Sequence, residues 1–359
     1  MLRLISGAAG RRLEVSASEF RALFDAVSTW GRWGERDQNG ALHHLDPAHV
    51  VAAARLVRDG ATVTLSLPLN TEAAAHNPKP AVHHMTMLPD VDIGSGSLRF
   101  AMDYVAFDYH SDTYSHIDAL CHVAFEGCLY NGHPAAGITS QGAAVHGIEA
   151  LKDGLVGRGV LLDIPRLRNV SWLEPGEHVL GEELEAAERA QGVTVGTGDI
   201  LLVRTGHTRR LTELGPWDTA AARAGLHPTA MAFVAERRVA ALGSDGNSDT
   251  APSTTEGVAF PIHVLAINAM GVRLLDYLQL ESLRQTCEAA RRWEFLFMAR
   301  RCGSLAGPVP PSTRSRSCSA FGLAPTSRCH ALPRRIVTAR RPHRHPVTTW
   351  TQPTSRASR

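Results

Sequence analysis

The chain has 359 residues, with 37 Lys and Arg against 35 Asp and Glu, a formal net charge of +2 and 44% hydrophobic residues. That length allows one large or two ordinary domains, and the apolar share supports a substantial core. No apolar run approaches the ~20 residues of a membrane span, the N-terminal apolar stretch is too short for a secretion signal, and six Cys without a Cys-x-x-Cys pair argue against a disulfide framework or zinc ribbon. A soluble cytoplasmic protein with reduced thiols is expected.

Phe20, Leu23, Phe24 and Val27 at helical spacing predict an amphipathic helix over 18–28, with Ser18 as cap. Trp30-Gly-Arg-Trp33-Gly reads as a turn with two large anchors. Pro47 at a first helical position and Gly60 beyond the end mark a second helix over 47–57. Strands are expected over 62–67, 98–107, 159–164 and 199–204, with helices over 181–191 and 228–237. The mixture predicts a single α/β domain over 18–299, with a mixed, barrel-like β-sheet flanked by helices rather than an alternating doubly wound one. Residues 1–17 read as an N-terminal extension. From Arg300 to Arg359 there are twelve Arg and no Asp, Glu or Lys, which leaves about −10 on residues 1–299. That tail, rich in Arg, Ser, Pro and Thr, is expected to be disordered.

The densest chemistry lies in Asp112-Thr-Tyr-Ser-His116-Ile-Asp118-Ala-Leu-Cys-His122. On an extended segment His116 and Asp118 emerge on the same face and can grip one ion. Asp118 and His122, four apart, share a face only if the chain has turned helical there, so a strand end running into a helix start satisfies both. Imidazole with carboxylate and no thiolate suits zinc, manganese or iron in an open catalytic site. The opposing reading is a set of hydrogen-bonded polar residues on a buried strand. His263 and Asp276, taken singly, read as capping or surface residues. Asp245-Gly-Asn-Ser-Asp249 is either a polar wall of a pocket or an Asx-rich turn. Arg204, at a strand end, either orients a substrate carboxylate or belongs to an ordinary turn. Two other functional readings are weaker. Cys121 with His116 or His122 would make a cysteine hydrolase, but no nucleophile elbow surrounds it. The basic tail would bind nucleic acid, but it has few interleaved aromatics and the body is acidic.

The spacing of His116, Asp118 and His122 resembles the His-x-Gly-Thr-His-x-Asp-x-Pro-x-His signature of the cyclase family of metal-dependent hydrolases, which includes bacterial kynurenine formamidases and isatin hydrolases. Trp30-Gly-Arg-Trp33-Gly, Ser66-Leu-Pro-Leu-Asn70, Leu129-Tyr-Asn-Gly132, Gly159-Val-Leu-Leu-Asp163, Gly198-Asp-Ile-Leu-Leu-Val-Arg-Thr-Gly206, Leu242-Gly-Ser-Asp245 and Pro261-Ile-His263 are similar to further segments of that family. The likeness spans residues 18 to 299. It implies that His116, Asp118, His263 and Asp276 hold one or two divalent ions, Zn2+ or Mn2+, with Asp118 able to bridge. It implies His122 as general acid/base, and an arylformamidase-like hydrolysis of a non-peptide amide of the N-formylkynurenine type, as in tryptophan catabolism, with other amides or lactones open. It also implies a homodimer or higher homo-oligomer.

Two departures bear on the ligands. The first His of the signature falls at Asp112, with His110 two residues earlier as a substitute, and a second-half Glu appears as the shorter Asp276. Carboxylate in place of imidazole makes the site harder, so Mn2+ fits as well as Zn2+. If Asp112 and Asp276 fail to hold metal, the chain is a degenerate, non-catalytic member. Beyond Met298 the family's Thr-Gly-Ser-Pro-x-Asn-Pro segment is missing. From residue 299, GC-rich codons can be chosen that restore it when read two nucleotides on, and 35 Arg against 2 Lys fits a GC-rich gene. The tail is therefore read as a reading-frame product.

Overall fold

Ser16 opens the first helix, because a capping box needs a Glu three residues on: its hydroxyl accepts from Glu19 N–H while Glu19 reaches back to Ser16 N–H. The helix thus begins before the expected cap at Ser18. The computed structural model describes residues 13–94 and 96–300, and the backbone of 319–320. In chain order the elements are α1 (Ala17–Val27), α2 (Pro47–Ala54), β1 (Val82–Met87), β2 (Met102–Ala106), β3 (His116–Asp118), β4 (Ile138–Thr139), β5 (Gly142–Ala143), β6 (Leu155–Asp163), α3 (Ile164–Arg168), β7 (His178–Val179), α4 (Gly181–Gln191), β8 (Ile200–Arg204), α5 (His207–Leu214), β9 (Gly225–Leu226), α6 (Ala230–Arg237), β10 (Ala241–Ser244), α7 (Pro261–His263), β11 (Arg273–Asp276), α8 (Glu281–Ala290), β12 (Glu294–Ala299) and β13 (Ser319–Ala320). Short 3-10 turns link some of them, and α7 runs on as a π-helix over Val264–Ala269.

One seven-stranded mixed sheet organises the fold, in the order β12-β6-β8-β10-β11-β3-β13. β6, β8, β10 and β11 run parallel, while β12, β3 and β13 are antiparallel to their neighbours. The mixed α/β sheet is as expected, but it does not close: among the described residues β12 and β13 form its two ends, so the barrel-like expectation is not met. Its parallel half also alternates strands with helices, contrary to the expected lack of alternation.

Both faces of that half are covered, which is why β6 and β8 read as continuous apolar runs. Val160, Leu162, Leu201 and Val203 pack on one face with α1, α4, α6 and the π-helix. Leu161, Ile200, Leu202 and Leu275 pack on the other with Leu283 and Cys287 of α8. Residues 62–67, expected as a strand, form none, since Leu67 N–H donates to the Ser115 hydroxyl and the Leu65 carbonyl accepts from Gln279 N–H and the Ser115 hydroxyl. No described helix is long and apolar enough to cross a membrane. The expectations for the basic tail concern residues that, save Arg300 and the backbone of 319–320, lie outside those described. So does most of the 1–17 extension.

Candidate metal centre

The sheet brings both halves of the sequence pattern to one point. The extended backbone of β3 turns His116 and Asp118 to the same face, and antiparallel pairing sets Asp276, the last residue of β11, opposite His116. Past Asp118 the chain makes a single turn, in which His122 N–H donates to the Ala119 carbonyl at 3.0 Å. That turn, rather than a helix start, brings His122 Nε2 to 4.0 Å from Asp118 Oδ1. His263 arrives on α7 with Nε2 at 3.7 Å from both Asp118 Oδ2 and Asp276 Oδ2. His116 Nε2 stands 3.7 Å and His110 Nδ1 3.4 Å from Asp118 Oδ1. The cluster lies beyond the carboxyl ends of parallel strands, where open α/β sheets bind ligands.

Two of the imidazoles are held in one orientation. His116 Nδ1 donates to the Tyr114 carbonyl at 2.8 Å, and His263 Nδ1 donates to Asp249 Oδ2 at 2.5 Å, so each turns Nε2 inward. Asp249 also accepts from the N–H groups of Ile262 at 2.6 Å and His263 at 3.1 Å, which fixes the start of α7. A Cβ at residue 225 would lie 2.4 Å from the Asp249 carbonyl carbon, so only glycine lets that backbone pass. The buried Arg223 donates to the Asp249 and Thr219 carbonyls, each at 3.0 Å. Ser248 Oγ donates to Asp276 Oδ1 at 2.8 Å. At the far end of the π-helix, Asn268 donates to the carbonyls of Val123 at 3.2 Å and Cys128 at 2.9 Å, gripping the loop that follows His122.

Charges sort themselves unequally here. Burial pushes the Asp118 carboxyl up, but His122, His110, His116 and His263 outweigh it and hold the group well below the usual carboxylate range. Burial raises Asp276, with His263 opposing and the like charge of Asp118 reinforcing. Burial lowers His263, yet Asp249, Asp276 and Asp118 together lift it to about 9. His122 is lowered to about 4, chiefly by burial, and is neutral at pH 7.

The donor set fits a divalent cation. Asp118 and Asp276 are fully buried, and both Asp118 oxygens and Asp276 Oδ2 have no hydrogen-bond partner. Buried charges are paired or coordinate metals. Ligand atoms each about 2.0–2.2 Å from one ion stand roughly 3–4 Å from one another. The spacings around Asp118 fall in that range, and ligand atoms of His110, His116 and Asp118, and of Asp118, His122 and His263, form two groups able to hold an ion.

Residues 63–249, just over half of the chain, match the family model described as Putative cyclase. The chain belongs to the cyclase family. The matched span takes in His110, His116, Asp118, His122 and Asp249 and ends before His263 and Asp276. A solved structure described as a novel cyclase superposes with a TM-score of 0.73 at 29% identity, covering 83% of this chain and 97% of the other. An isatin hydrolase bound to the product analogue thioisatinate superposes with a TM-score of 0.51 at 16% identity, covering 77% and 97%, a likeness of fold. No curated protein sequence matches.

In this cyclase-family chain His116, Asp118, His122, His263 and Asp276 converge, and His110 joins them. Asp112 does not. Its Oδ2 accepts from Thr219 Oγ1 at 2.5 Å, and its carboxylate lies beside Tyr277, His207 and His76. The backbone turns between Ser111 and Tyr114, so that position 110 and not 112 faces the centre. Arg204, expected at the substrate, is buried in ion pairs with Asp163 at 2.8 Å and Glu281 at 2.7 Å and also donates to the Ser171 carbonyl at 3.2 Å. Asp245 is fully buried and accepts from the N–H groups of Thr205 at 2.7 Å and Gly206 at 2.8 Å and from the Thr205 hydroxyl at 2.9 Å, which ties the end of β8 to that of β10. Both are structural fastenings, because a strand-end polar residue satisfies its neighbours before any ligand. Cys121 is fully buried in the core, closed to any substrate, which removes the cysteine-hydrolase reading. Sequence reasoning missed Asp249 as the partner of His263. The usable signal was that a metal-binding imidazole needs an acceptor behind it, and Asp249 stands on a polar turn in the same stretch of chain, fourteen residues before His263.

Proposed function

We propose that this protein is a metal-dependent hydrolase that cleaves a non-peptide amide C–N bond in an aryl or cyclic substrate, in the manner of an arylformamidase. The observation that carries this reading is the pair of buried carboxylates, Asp118 and Asp276, with three oxygens that accept no hydrogen bond and face the inward-turned Nε2 atoms of His116 and His263. With His110, these residues would hold one or two ions of Zn2+ or Mn2+, and Asp118 would be shared between the His110/His116 and His263/Asp276 sides. A divalent ion, when bound, lowers the pKa of water toward ~7 and polarises a carbonyl. His122 takes up the proton released by the attacking water and passes it to the leaving nitrogen. It is suited to that task because it is neutral, beside Asp118, and 26% exposed toward solvent. Asp249 keeps His263 in register.

Aromatic rings around the centre support a flat substrate. Phe260, 47% exposed, lies 5.7 Å from the His263 ring, and Tyr277 lies 6.3 Å from His116. His207 and Trp217 continue the wall at 5.6 Å and 4.9 Å. Conversion of N-formylkynurenine to kynurenine, in tryptophan catabolism, is the specific reaction put forward. Metal-stripped protein, reloaded with Mn2+ or Zn2+, is assayed on N-formylkynurenine and on isatin. Turnover restored by metal supports the reading, and hydrolysis that survives exhaustive chelation overturns it.

A further inference from the structure

A second cavity, of about 240 Å3, opens at the amino ends of β10 and β11, whereas the metal centre takes Asp276 from the carboxyl end of β11. Val239 and Val272, which lead into those two strands, wall it together with Val27 of α1, Ala41 and Met270, all five of them buried. Ser28, His44, Arg32 and Arg238 supply a polar side, and no carboxylate lines the cavity.

That polar side carries uncompensated positive charge. Arg32 and Arg238 form no ion pair among the described residues, and the Arg32 guanidinium lies over the Trp33 ring, 5.7 Å from its centroid. Asp37 and Asp46, which flank His44 in the chain, are taken up by His43 at 2.7 Å and His49 at 2.8 Å. Burial, then Arg32 and Arg238, push His44 down to about 4, so both guanidiniums bear on one neutral ring. Like charges gathered at one hollow repel until an anion joins them, and a guanidinium fork matches a carboxylate. Concave apolar walls with a few convergent polar groups make a small-molecule site, and this volume lies below the ~300–1,000 Å3 of sites for drug-sized ligands, which suits a single ring.

We propose that the cavity binds a small organic carboxylate, its charge held by Arg32 and Arg238 and its apolar body against Val27, Val239, Met270 and Val272. Inorganic phosphate brings the charge without the body, so these walls favour the carboxylate. The site shares no residue with the metal centre and is independent of the functional reading above. An occupant also bears on the join of α1 to the π-helix, where Trp30 Nε1 donates to the Asn268 carbonyl at 2.6 Å and the Thr29 hydroxyl to the Met270 carbonyl at 2.9 Å.

Sodium benzoate is titrated calorimetrically into the full chain, metal-stripped and metal-loaded, with benzamide and inorganic phosphate as comparison probes. The same titrations on Arg32→Gln and Arg238→Gln alter exposed positions, and melting curves verify that each variant is folded. The chain should bind one benzoate per copy with or without metal. Benzamide, phosphate and either Gln variant should each weaken binding by about tenfold or more, the loss of one charge-assisted contact. No saturable benzoate uptake by the metal-stripped wild type, or uptake that both variants keep at full strength, overturns the proposal. Benzamide bound as tightly as benzoate overturns it without recourse to a variant. Phosphate bound as tightly as benzoate overturns it too, and leaves a general anion site.

Discussion

Replacing Asp249 by Asn keeps the shape of the side chain and removes the charge that sets His263. One carboxylate accepts three bonds there, from Ile262 N–H at 2.6 Å, His263 N–H at 3.1 Å and His263 Nδ1 at 2.5 Å. An amide has a single acceptor oxygen. If that oxygen keeps Ile262, the amide NH2 faces two donors of His263, and the imidazole loses the bond that holds Nε2 at 3.7 Å from Asp118 and Asp276. Removing the partner behind a metal-bound imidazole lowers metal affinity by about 10–100-fold, or about 1.4–2.7 kcal/mol. The buried unpaired donors add a folding cost of about 1–3 kcal/mol each. Calorimetric titration of Mn2+ into metal-stripped Asp249→Asn, with wild type and His263→Ala as references, measures the first. Urea unfolding measures the second. Metal binding by Asp249→Asn within twofold of wild type, while His263→Ala binds none, would refute the reasoning.

Three other outcomes follow from the same geometry. His110→Ala should lower metal affinity about tenfold or more, whereas Asp112→Asn should leave it unchanged; the opposite ranking in the same titration contradicts the placement of these two residues. Chelation should lower the unfolding temperature, because Asp118 and Asp276 then share only the His263 imidazolium between them, and a metal at 1,000 times its Kd stabilises by about 4 kcal/mol. A melting curve indifferent to EDTA argues against the centre. Burial lowers His146 and His207 each to about 4. The unfolded chain takes up their protons near pH ~6.5 while the folded chain refuses them, so stability is intact above that pH and falls as pH drops toward 4. At pH 5 each accounts for a loss of up to about 2 kcal/mol. Urea midpoints of metal-free protein between pH 7.5 and 5 test this, and His146→Gln should flatten part of the slope. A level profile in the wild type counts against it.

What could be read from sequence was what depends on near neighbours. α4 was legible to the residue because its 3.6-residue pattern ends on Gly192, whose φ of 64° an L side chain rarely adopts. β6 and β8 were legible as apolar runs. The shared face of His116 and Asp118 followed from the two-residue period of a strand, even one only three residues long. Long-range register was not legible: that Asp276 sits opposite His116 depends on pairing across more than 150 residues, and only the family resemblance suggested it. The choice between His110 and Asp112 rests on one backbone turn that composition does not reveal. Arg204 looks the same in sequence whether it meets a substrate or Asp163.

The π-helix has a mechanical meaning. His263 stands just before it and Asn268 near its end, so one buried strut holds the His263 imidazole at its head and the loop behind His122 near its foot. The two jaws are geared to each other. One buried segment thus ties the placement of the two imidazoles to each other.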